Sequence, residues 1–168
     1  MPPERWLRGP VPGIQPLLQP VVHGLLQCGD EVDRHVRPLT ADRIWSVPRG
    51  AASIGFHVRH AAGSLDRLLT YARGEQLSAI QRAALVAESD AGAAVEDGVS
   101  LAASFAEAVA RALDQLGTTA EASLLDSREV GRGRLPSTVI GLLFHAAEHT
   151  QRHVGQLVTT IKLTASGS

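Results

Sequence analysis

A single cysteine, Cys28, in 168 residues leaves no partner for an intrachain disulfide and rules out a cysteine-based zinc finger. Aromatic residues are scarce at 4%, and every basic residue except Lys162 is an arginine. No apolar run approaches the roughly 18 residues that a membrane helix needs. The opening Met1-Pro2-Pro3-Glu4-Arg5 also lacks the basic-then-apolar layout of a secretory signal. A cytoplasmic domain is therefore the expectation. Charge of neither sign dominates: the net charge is -1 and the pI about 6.6, which argues against the basic face of a nucleic-acid binder. The expected partner is a small molecule, with no nucleic acid and no membrane. Sustained apolar–polar alternation is missing too, so no strand is expected. What is present is alanine and leucine in abundance, the composition of helices, in a chain long enough to bury one core.

Four prolines and two glycines in residues 1–13 predict an irregular N-terminal arm. A first helix is expected over about Pro16–Arg37, with Pro20 close to its true first turn and Pro38 stopping it. A connector containing Trp45 follows, and that ring is expected to cap the core. The second helix spans about Ala51–Arg73, with Gly74 placed as its C-terminal cap. Residues 77–89 read as a short amphipathic helix, Val99–Leu116 as a third long helix ended by Gly117, and Pro136–Leu163 as a fourth opened by its proline. The chain thus predicts an all-α four-helix bundle with a short extra helix in the connector, spanning residues 14–164 and leaving 165–168 as a tail.

Seven histidines stand out, five of them on two of these helices. His145, His149 and His153 follow each other at i,i+4 on the fourth helix, drifting about 40° per step at the boundary of its apolar arc. Imidazoles at this spacing can converge on one ion, as His-x-x-x-His pairs do in helical zinc enzymes. On the second helix, His57 and His60 border the arc of Ile54, Val58, Ala61 and Leu65, and periodicity centres His57 slightly better. One histidine from this helix facing a pair from the fourth would make a three-imidazole site with an open position, the layout of a catalytic rather than a closed structural metal. His145-Ala146-Ala147-Glu148-His149 also fits the inverted zinc-protease signature. No Asp or Glu follows His149 to complete it, and Glu148 falls on the solvent side with Arg152, so that assignment is rejected.

Phe56-His57-Val58-Arg59-His60-Ala61-Ala62-Gly63-Ser64, together with Glu148-His149-Thr150-Gln151-Arg152-His153-Val154-Gly155-Gln156-Leu157, resembles the DinB-like superfamily of bacterial four-helix-bundle metalloenzymes. The resemblance implies an up-down-down-up bundle, often a homodimer, with one divalent ion at its open end, Zn or Ni. Position by position it implies a metal triad of His60, His149 and His153, and so selects His60 over His57. His57, His145 and Gln156 are left as candidates for supporting roles around the ligands.

A neutral three-histidine shell leaves the ion's charge intact, so a bound water or thiol becomes more acidic. The expected chemistry is thiol-dependent S-transfer, with a low-molecular-weight thiol as cosubstrate, or hydrolysis of a small molecule. The arginines of Arg128-Glu129-Val130-Gly131-Arg132 precede the fourth helix, where anions are favoured, and Arg128 and Arg132 are candidate contacts for a substrate anion. The alternative is a metal-binding stress or scaffold protein without turnover.

Overall fold

The computed structural model describes residues 2–47, 50–90 and 95–165. Among the described residues six α-helices run in the order α1 (Gln19–Val36), α2 (Ala41–Trp45), α3 (Ile54–Ala72), α4 (Ala79–Ala87), α5 (Gly98–Thr118) and α6 (Val139–Ala165). Strands β1 (Ser127–Val130) and β2 (Leu135–Thr138) form an antiparallel hairpin between α5 and α6. Residues 166–168 of the expected tail and Pro48 and Arg49 of the connector lie outside the described residues.

The long helices bury the stripes that their sequence period dictates. Ile54, Val58, Ala61 and Leu65 of α3 meet Leu101, Phe105, Ala112 and Leu116 of α5 and Leu143, Val154 and Leu157 of α6 in one core, each at most 1% exposed. Both α1 and α3 pack against α5 and α6, so α1 and α3 stand diagonally across the bundle. Directions follow from contacts at the helix ends. Gln15, just before α1, donates to Thr119 O beyond α5 at 2.8 Å, while Gly98 N at the start of α5 donates to Leu39 O beyond α1. These two helices are antiparallel. Trp45 Nε1 donates to Glu96 O ahead of α5, and Gln115 Nε2 donates to Leu69 O, so α3 and α5 run parallel. At the far end Ile140 N donates to Leu124 O, which starts α6 beside the end of α5 and sends it back. The order is up-down-down-up.

Several boundaries depart from the sequence expectation. Pro16–Leu18 form a 3₁₀ turn, and α1 begins at Gln19 with Pro20 in its first turn. Gly74, at φ +81°, follows the end of α3 as expected. Helix α5 continues through Gly117 to Thr118. The largest correction is the hairpin. Pro136 does not open the last helix; it sits in β2 opposite Glu129. A two-stranded ribbon has only edge strands, where a missing N–H need not break a ladder. Strands of four residues are also too short to show alternation. The N-terminal arm is tied to α1: Arg5 reaches Asp30 through Nε and NH2 at 2.7 and 2.6 Å, and Val11 packs on the core.

Candidate metal centre

The first turn of α3 is set by Ser53, whose Oγ accepts the Phe56 N–H at 3.1 Å. That cap fixes the start of α3, and the turns behind it carry His57 and His60. Helix α6 lies antiparallel alongside and presents His149 and His153 from its middle. Nε2 of His60 and Nε2 of His149 face each other at 3.0 Å. The His153 ring completes the group, its centroid 4.4 Å from that of His60 and 4.7 Å from that of His149. One nitrogen from each of the three lies within 4.8 Å of the others, a group that could hold a metal ion.

His57 stands behind this group. It is 7% exposed, and its Nδ1 lies 3.0 Å from Nδ1 of His153. Periodicity centred the more buried histidine, but the one that reaches His149 is His60, a turn later. Phe56 covers the cluster, stacked on His60 at 5.3 Å and edge-on to His57 and His153 at 5.5 and 6.4 Å. His145 is exposed, with its ring 5.5 Å from that of His149 and its Nδ1 3.3 Å from Glu148. Glu148 is ion-paired with Arg152 on the outer face, the solvent side on which the sequence puts both. Gln156 is exposed and lines a cavity of about 640 Å³ together with His57, Gly155 and Thr159.

The two arginines that are candidate contacts for a substrate anion lie away from the three histidines. Arg128 Nε donates to Ala72 O at 2.8 Å, satisfying the last turn of α3 at the opposite end from His57 and His60. Arg132 lines a separate cavity with Tyr71 and Arg82 beside that same end. The hairpin that sequence reading missed is what carries them there: it folds back over the end of α3 instead of leading straight into the last helix.

The donor set suits a borderline divalent cation. Burial first, and then neighbouring positive groups, lower the pKa of His57, His149 and His153, the last to about 4. Imidazoles held neutral offer lone pairs. Two ligands on a tetrahedral ion, each about 2.05 Å from it, stand about 3.3 Å apart, close to the spacing of the two facing Nε2 atoms. His149 Nδ1 is buried without a hydrogen-bond partner among the described residues. Cys28 offers no alternative nucleophile, since burial pushes its thiol up to about 12.

The sequence matches the model of the DinB superfamily over residues 24–157, which takes in every long helix but its outermost ends. The chain belongs to the DinB superfamily. Its fold is also that of a solved conserved protein from Enterococcus faecalis, at a TM-score of 0.70 and 20% identity, covering 87% of this chain and 95% of that one. Comparison with curated proteins finds no match. Within this DinB-superfamily bundle, one residue absent from the sequence reading touches the triad directly. Glu88, just past α4 and 5% exposed, places Oε2 2.6 Å from His60 Nδ1 and Oε1 2.6 Å from Arg67 NH1. The only sequence signal was a carboxylate within the connector, and nothing in its spacing points to His60.

Proposed function

We propose that this protein is a metal-dependent enzyme in which His60, His149 and His153 hold one divalent ion, Zn or Ni, and act on a small molecule by thiol-dependent transfer or hydrolysis. The observation that carries the reading is the pair of Nε2 atoms on α3 and α6 facing each other at 3.0 Å with a third imidazole alongside. Two lone pairs do not face each other at that distance without a proton or a cation between them. When bound, such an ion makes a thiol or water that reaches it more acidic and leaves a position open beyond three protein ligands.

The chain's own residues support that role. Phe56 lays an apolar ring over His60 and thins the water on that side. His57 holds the His153 ring from behind through Nδ1. The cavity beside His57, walled by Gly155, Gln156 and Thr159, is of a size that takes a small polar substrate. Among the described residues the three ligand-type side chains that come together are all histidine, and the carboxylate that reaches them, Glu88, is already engaged with His60 Nδ1 and Arg67. That favours a thiol over a water as the attacking group, because a thiol gives up its proton more readily.

Metal content settles the first half. Protein purified without a histidine tag is expected to carry, or to take up, one equivalent of Zn²⁺ or Ni²⁺ measured by mass spectrometry of the metal. His149→Ala and His153→Ala are expected to lose it. Equal uptake by the native protein and both variants overturns the site. Conjugation of small electrophiles with low-molecular-weight thiols, tested with and without the ion, then checks the chemistry. Metal bound without turnover of any thiol or hydrolytic substrate favours the stress or scaffold alternative.

A further inference from the structure

We infer that Glu88 is a positioning residue that decides which nitrogen of His60 carries the ring proton, an inference that rests on the metal-site reading above. A carboxylate only accepts and a guanidinium only donates. Arg67 NH1 occupies one oxygen of Glu88, so the other is left for the Nδ1–H of His60. A neutral imidazole protonated at Nδ1 keeps its lone pair on Nε2, the atom that faces His149. Carboxylate partners of this kind orient metal-binding rings and fix their tautomer.

The surroundings leave this arrangement little freedom. Glu88 is buried, and a buried carboxylate is costly unless both oxygens are engaged. The pair crosses α3 above Gly63, where a Cβ would come within 2.6 Å of Glu88 Oε1 and 2.8 Å of Arg67 NH1. A side chain larger than glycine at this position would force the Glu88–Arg67 pair to shift. Pinning α4 to α3 would by itself require only the bond to Arg67. The second bond, to the histidine ring, is what bears on the metal site.

Glu88→Gln separates these roles. The amide keeps the shape, but Arg67 still needs an oxygen, so the Gln carbonyl turns to Arg67 and its NH2 turns to His60. His60 then accepts at Nδ1 and carries its proton on Nε2, where it blocks ligation. Long-range ¹H–¹⁵N spectra of the histidine rings in the metal-free full chain read the tautomer directly. The native protein is expected to show Nδ1–H at His60 and the variant Nε2–H. Zn²⁺ affinity, measured by competition with a chromophoric chelator, is expected to fall about 10–100-fold in the variant. Nε2–H at His60 in the native spectrum overturns the inference without any variant, so a Glu88→Gln protein that fails to fold does not shelter it. Unchanged tautomer or unchanged Zn²⁺ affinity in a folded variant overturns it as well. A native chain that binds no Zn²⁺ yet keeps Nδ1–H, with the switch in Glu88→Gln, overturns the metal reading and leaves the proton assignment standing.

Discussion

His153 has the most crowded ring of the cluster: burial first, then His60, His149, His57 and Arg152, bring its pKa down to about 4. In an unfolded chain the same ring titrates near about 6.5. Between those two values the unfolded state binds a proton that the folded state does not. Stability from this group is therefore intact above about pH 6.5, declines as pH falls towards about 4, and changes no further below that. With a chelator present, the native protein is expected to melt lower at about pH 4.5 than at about pH 7, and His153→Asn is expected to flatten that slope. An unchanged slope in the variant contradicts the assignment. At this scale the sequence exposes some residues and hides others. His149 and His153 are legible because four residues is nearly one helical turn. Glu88 is not, because its partner His60 lies 28 residues earlier, across the chain reversal between α3 and α4, and no local period links them.

The hairpin β1–β2 shows how an element redirects a functional guess. Arg128 and Arg132 precede the last helix in sequence, which suggested an anion site at its N-terminus. Four residues of β2 intervene, and the ribbon lays Arg128 along the end of α3, where it caps Ala72 O. Its job there is to satisfy a helix-end carbonyl that has no partner within the helix. Arg128→Ala is expected to cost about 0.5–1.5 kcal/mol in urea unfolding and to leave metal affinity at the native value. A variant of native stability with weakened metal binding or lost activity would return the arginine to the site. The four long helices, by contrast, were readable to within a few residues, because each buries one continuous stripe. The helix α2 in the connector was not, since five residues show no period.

A metal ion held by His60, His149 and His153 would bridge α3 and α6, helices that are far apart in sequence and run in opposite directions. Unfolding would then have to release the ion, so binding adds to stability by mass action. That gain is about 2.7 kcal/mol when the free ion exceeds its Kd about a hundredfold. For a domain of this size the melting temperature is expected to rise by about 5–10 °C on adding Zn²⁺. The rise should reverse with a chelator and disappear in His60→Ala. Equal shifts in the native protein and the variant would show that the ion binds elsewhere. By itself, the sequence was enough to establish the helices, their apolar faces and the row of imidazoles on α6, because these follow from side-chain spacing along one rod. Periodicity left His57 and His60 open and the resemblance chose His60; only the tertiary structure decided that His60 faces His149 while His57 backs His153, that Glu88 stands behind His60, and that the arginine loop folds away. Those outcomes depend on how α3 is rotated and braced by α2, α4, α5, α6 and β1 at once, and a helical period of 3.6 residues carries no information about that rotation.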